Sequence, residues 1–221
     1  MKRVLFVTVT LTLLVAGAAQ AQLGNVPIYA NPSLSGFRIA GDYAKGMNDE
    51  SNKHWALAAR GHVGVSRIIL GAGVGVVDFG SNTDPTYMGS LAVRLIDNGL
   101  LAVALQGGVG FTKLSADTLL EALKTRDIPV SLAVGLHIPL VVLSIDPWVA
   151  PRYTFRHYTM GAAGDNRNHF GVSAGVDAKL VLGLGLQVAV DFQSLPEITG
   201  DVINDLKREP FLFSAGLSFG L

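Results

Sequence analysis

Charged side chains are scarce in this chain, at 15% of its 221 residues, so where they fall is informative. Arg38, Asp42, Arg60, His62, Arg94, His137, Asp146, Arg152, Asp177 and Asp191 stand inside segments that are otherwise apolar or small. Guanidinium and carboxylate groups held away from bulk water form charge-assisted hydrogen bonds, often bidentate. Such a set either completes a polar interior or lines a constriction that selects small ions or solutes. The sequence leaves both open. A second grouping, Asp42, His54, His169 and Asp191, has the residue types of acid–base catalysis. No spacing forces these four together, and a His beside an Asp at an exposed rim is more often a solvated pair. There is no Gly-x-Ser-x-Gly elbow, no His-Glu-x-x-His and no Cys. The glycine-rich stretch from Gly71 to Val76 lacks the Lys-Ser/Thr that follows a phosphate loop. The expectation is a protein that is not an enzyme and uses no cofactor and no metal.

The elements that must position these charges are strands. In residues 211–221, Phe211, Phe213, Ala215, Leu217, Phe219 and Leu221 share one face, while Leu212, Ser214, Gly216, Ser218 and Gly220 share the other. One face is greasy, the other mostly small, and neither carries a charge. A water-soluble sheet would place Lys, Glu or Thr on its second face. A transmembrane β-strand needs about ten residues of this pattern. The same alternation predicts strands at 36–44, 54–65, 68–79, 87–96, 100–111, 128–138, 143–155, 168–179, 182–192 and 211–221. The charges named above fall mainly on the small face. Arg38, Arg94, Asp146 and Asp177 are placed in the half nearer the short turns, and Asp42, Arg152 and Asp191 nearer the other end. Arg60 joins them as an inward candidate. Pro147 and Pro151 share a phase and lack ladder donors, which predicts a bulge in 143–155. Trp148 then points either into the lumen or out to lipid.

The connections alternate in length. Tight turns are predicted near Ser66-Arg67, Asp97-Asn98-Gly99, Pro139-Leu140 and Lys179-Leu180, the second with a strong Asn-Gly hairpin signal. Longer loops are predicted at 45–53, 80–86, 112–127, 156–167 and 193–210. Ser115 to Lys124 reads as a short helix, lying on the rim or capping the mouth. Tyr43, Trp55, Phe79, Tyr87, Phe111, Phe155, Phe170, Phe192 and Phe211 gather at the long-loop end, as an aromatic girdle would at headgroup level. Phe37 and Phe219 are the candidates at the other end.

The N-terminus reads as a secretory signal peptide over 1–21: Lys2-Arg3, an apolar run from Val4 to about Ala18, and Ala19-Gln20-Ala21 before the cut. The competing reading is an uncleaved anchor, which the short core disfavours. Residues 22–35 would form a periplasmic N-terminal segment and 36–221 the barrel. With Lys2 and Arg3 removed, 15 basic residues face 17 acidic ones, a balance that points away from nucleic acid as a partner. Hydrophobic residues make up 49% of the chain, Gly numbers 26, and mean hydropathy is +0.41. Apolar residues interleaved with small ones select a barrel over spanning helices, since only those two satisfy every backbone group in lipid.

The pattern over 36–221 resembles the small Gram-negative outer-membrane β-barrel proteins of the opacity-protein and porin-like kind. The resemblance implies an all-β, closed, antiparallel, up-and-down transmembrane β-barrel in the bacterial outer membrane and cell envelope. The strand count is about ten, with eight as the alternative. A lipocalin-like soluble barrel is the competing fold, but it would put large apolar residues inside and charge outside. The terminal strand, with Phe213, Leu217, Phe219 and Leu221, is similar to the family's C-terminal assembly signal, although it ends on Leu221 instead of an aromatic ring. That likeness implies outer-membrane lipids and the barrel-assembly machinery as partners, and leaves the oligomeric state open. Rim proteases also have ten strands, but those are tall barrels; here the strands are expected only to span. The reading is a structural or surface-interaction scaffold with a side-chain-filled lumen, the alternative being a narrow porin or channel for passive diffusion of small solutes.

Overall fold

Period-two alternation persists through ten long strands in the computed structural model, which describes residues 31–47, 55–78, 83–114, 123–160, 163–180, 182–194 and 211–220. The predicted signal peptide, His54, Phe79 and Leu221 lie outside the described residues. The strands are β1 (Gly36–Gly46), β2 (Trp55–Val65), β3 (Ile68–Asp78), β4 (Thr83–Asp97) and β5 (Leu101–Leu114). They continue as β6 (Leu123–Leu136), β7 (Leu143–Met160), β8 (Ala163–Leu180), β9 (Leu184–Ser194) and β10 (Phe211–Gly220). A two-residue ladder at Ile138–Pro139 prolongs the β6 side against β7. Each strand pairs antiparallel with the next, and β1 pairs with β10, so the sheet closes on itself. Closure removes every unpaired edge. The fold is the closed ten-stranded up-and-down barrel, with Phe219 opposite Ile39, two residues along from Phe37.

The two faces differ as lipid and lumen require. Ile39, Leu57, Leu70, Leu91, Leu105, Leu132 and Leu186 are among the large apolar side chains exposed on the outside. In water so broad an apolar surface would aggregate; in hydrocarbon it is solvated. The inner face is built from Ala, Gly, Ser, Thr and the charged residues, which are buried.

The tight turns form where expected. Asn98 Oδ1 accepts hydrogen bonds from the Leu100 and Leu101 amides at 3.1 and 2.8 Å, while Gly99 takes φ +83°. Ser66 and Leu182 carry positive φ in their own turns.

The other end departs from expectation. β7 and β8 each run 18 residues and their described ends are only a hairpin's width apart, so 156–167 is largely strand instead of a long loop. Strand also covers 112–114 and 123–127, and Leu123 and Lys124 lie in β6, not in a helix; residues 115–122 lie outside the described residues. These strands outrun the length needed to span, against the expectation that they would only span. The predicted bulge in 143–155 is absent: one register runs from Leu143↔Leu180 to Met160↔Ala163. Each proline forfeits one donor, and the flanking pairs hold the register. The bulge falls instead in β4, where Arg94 pairs with Ala104 but Ile96 with Val103. It turns Leu95 and Ile96 outward together while Arg94 stays inside.

Residues 31–34 are not a free tail. Leu34 enters the short-turn end of the lumen and packs on Ile69, Ala92 and Ala104. Asn31 Nδ2 donates to the Asp146 carbonyl at 3.4 Å, and Pro32 fills the space over Gly135. An Asx turn shapes the segment, with the Ser33 amide donating to Asn31 Oδ1 at 2.9 Å.

Candidate functional site

Among the described residues most buried charged side chains lie in the lumen, and the inward phase of each strand decides which side chains enter it. Arg38, Asp42, Arg60, Arg94, Asp146, Arg152, Asp177 and Asp191 are all buried there. Near the short turns, Arg38 Nη1 lies 2.8 Å from Asp177 Oδ2. Asp146, fully buried, lies between His137 Nδ1 at 2.6 Å and Lys179 Nζ at 2.7 Å. Arg94 reaches Asp97 at 2.6 Å and donates its second nitrogen to the Leu34 carbonyl, which fastens the N-terminal segment.

At mid-height Arg60 grips Asp42 with two nitrogens, Nε at 2.5 Å and Nη2 at 2.9 Å, and Nη2 also reaches Gln187 Oε1 at 2.6 Å. Since β2 holds Arg60 and β9 holds Gln187, this group ties together strands that are not sheet neighbours. Trp148 points inward beside Ala133, Ala150 and Ala189, which settles the choice the sequence left open. Higher up, Arg152 grips Asp191 with both terminal nitrogens, Nη2 at 2.7 Å, and donates to Ser173 Oγ at 2.8 Å. Above that, Arg156 is bidentate on Asp127, at 2.6 and 2.5 Å, with its guanidinium 5.9 Å from the Tyr158 ring centre.

Large inward side chains are matched to glycines across the strand pair. Arg38 faces Gly220, Asp42 faces Gly216, Arg60 faces Gly73, His62 faces Gly71, Trp148 faces Gly175 and Arg152 faces Gly171. A Cβ added at Gly171 would lie 2.9 Å from Arg152 Cζ. The small face is therefore small so that Arg152 and Trp148 can lie over the neighbouring strand on the inside of the wall.

Of the residues with acid–base side chains, Asp42 is held by Arg60 at mid-height instead of near the mouth, Asp191 is held by Arg152, and His169 is buried on the inward face of β8. Among the described residues no three metal-ligating side chains cluster. Sequence reasoning missed Asp127, Arg156, Lys179, Gln187, Ser173 and the segment 31–34. Asp127 and Arg156 fall within the predicted loops 112–127 and 156–167, because beyond the girdle both faces of a strand are polar and the alternation fades.

On the outside, Tyr43, Tyr87, Phe111, Phe155 and Phe170 are exposed, and Trp55, Phe192 and Phe211 are half-buried. Of the terminal-strand residues, Phe213, Leu217 and Phe219 face outward.

No family profile and no curated protein sequence matches the chain. Solved structures do. The beta domain of the Bordetella autotransporter BrkA superposes with a TM-score of 0.57 at 13% identity, covering 85% of this chain and 100% of that one. The outer-membrane protease OmpT from Escherichia coli gives 0.44 at 9% identity, over 85% and 94% of the two chains. Ail, the attachment invasion locus protein of Yersinia pestis, gives 0.35 at 10%, over 85% and 98%. The first shares the fold of an outer-membrane β-barrel; the other two are too distant in shape to bear on it.

Proposed function

We propose that this chain is a bacterial outer-membrane barrel acting as a membrane-anchored scaffold, its lumen closed by its own side chains and its long-loop end serving as the interaction surface. The observation that carries this reading is the Arg60–Asp42–Gln187 group, which reaches inside the lumen at mid-height from β2 past β1 and β10 to β9. The Arg152–Asp191 pair above it, and Leu34 with Arg94 below it, support the same reading. The role is not catalytic. In this reading residues 1–21 are a cleaved export signal, the barrel-assembly machinery reads the terminal strand, and outer-membrane lipids surround Phe213, Leu217 and Phe219.

The test is conductance in a planar bilayer. A closed scaffold passes almost no steady current. The alternative, a narrow channel for passive diffusion of small solutes, draws on the charges of both signs inside the lumen. A large steady current through the unaltered protein would favour that channel and end the scaffold reading.

A further inference from the structure

One group of charges lies on the wrong side of the wall for any role in the lumen. Lys113 on β5, Lys124 and Arg126 on β6 and His157 on β7 share the outward phase of Phe111, Ile128 and Phe155. They are neighbours across the sheet: Lys113 pairs with Lys124, Phe111 with Arg126, and Arg126 with His157. Between them lies a shallow cavity of about 200 Å³ that Phe111 also lines.

Two lysines directly opposed repel each other, an arrangement that costs stability unless an anion lies between them. Among the described residues no ion pair neutralises Lys113, Lys124 or Arg126; the arginines that do have carboxylate partners use them elsewhere. The cluster is also one-sided. Next to the outward rings on other strands stand neutral residues, Pro85 beside Tyr87 and Asn168 beside Phe170, an acidic residue, Asp78 beside Trp55, and a single cation, Lys45 on β1 between Trp55 and Phe213.

Height supplies the rest. These cations stand one or two alternation steps beyond outward aromatic and aliphatic side chains, where hydrocarbon gives way to headgroups. The anions that a bilayer presents at headgroup depth are the phosphates of its lipids. We propose that Lys113, Lys124 and Arg126 form a binding site for the phosphorylated headgroup of an outer-leaflet glycolipid. Arg126 supplies forked donors to phosphate oxygens, the two lysines supply point charges, and Phe111 flanks the first methylenes of the acyl chains. The site is independent of whether the lumen conducts.

The experiment uses the full chain, folded in neutral detergent and titrated with bisphosphorylated lipid A, with retained lipid read by native mass spectrometry. The wild type should retain lipid A. K113Q/K124Q/R126Q should bind it about tenfold more weakly or worse, since charge-assisted hydrogen bonds are lost, and K124Q alone should show a smaller loss. K45Q should bind as the wild type does. All these positions are exposed, so the variants should fold, which the heat-dependent shift in gel mobility verifies. Equal retention by the triple variant, or equal binding of fully dephosphorylated lipid A, would overturn the site. Displacement of lipid A by inorganic phosphate at matched concentration would show anion binding without lipid recognition and would overturn the lipid assignment.

Discussion

Trp148 lies directly across the β7–β8 pair from Gly175, and its ring occupies the volume that a side chain at 175 would need. A Cβ there would come within 2.7 Å of Trp148 Cζ2 and 2.9 Å of the Val188 carbonyl. One neighbour is backbone and cannot yield cheaply. Gly175→Val should therefore destabilise the barrel by about 1–3 kcal/mol, the usual range for overpacking. Urea unfolding in lipid vesicles reads the shift. Trp148→Ala in the same background should recover part of the loss, because the clash with the ring disappears; no recovery would mean that the backbone contact dominates.

The Arg152–Asp191 pair should show the asymmetry of buried charges. Each partner is enclosed, with Arg152 2% and Asp191 1% exposed. Arg152→Met alone strands a carboxylate, and Asp191→Leu alone strands a guanidinium. Either should cost about 3–5 kcal/mol, whereas the double replacement should be far milder than the sum. A double-mutant cycle by equilibrium unfolding measures this. Additive losses would mean that the two groups do not depend on each other.

The outer face should respond to depth. Leu91 is exposed midway along β4, and Thr83 is exposed at its far end. Leu91→Arg should cost about 2–4 kcal/mol in a bilayer and Thr83→Arg about 0–1 kcal/mol. Folding yields into vesicles of fixed thickness compare the two. Equal costs would contradict a lipid-facing wall at Leu91.

Much of this architecture is legible because lipid enforces the alternation. Between the girdle and the short turns every second residue must be apolar, so Leu101/Val103/Leu105 against Ala102/Ala104/Gln106 reads without ambiguity. The same constraint assigns Arg38, Arg60 and Asp177 to the inside. It lapses above the rings. Lys124 and Arg126 face out while Asp127 faces in, so polarity no longer distinguishes the faces, and the upper ends of β5 to β8 look like loop. Ion-pair partners are harder still. Arg38 and Asp177 are 139 residues apart, and nothing in either neighbourhood marks the match. The glycines were readable as small, but not as the complement of specific large residues, because that requires the register. The plug at 31–34 has no periodic signal at all.

Arg94 should control the lower end of the lumen. Its guanidinium holds both Asp97 and the Leu34 carbonyl, and Leu34 rests on Ile69, Ala92 and Ala104. Two other attachments, Asn31 to the Asp146 carbonyl and Pro32 over Gly135, lie on the far side of the segment. Arg94→Ala removes the donor to Leu34 and leaves the far side in place, so the segment should loosen from one end. Arg38→Ala removes the partner of Asp177 nearby and adds volume at the same level. In the closed-scaffold reading the wild type conducts poorly, and each replacement should raise single-channel current or shift ion selectivity toward cations as unpaired carboxylates face the lumen. The double replacement should exceed either alone if both groups obstruct the same path. Planar-bilayer recording of the wild type and the three variants decides it. A large steady wild-type current, unchanged by both replacements, would show that neither arginine narrows the path and that the lumen is open.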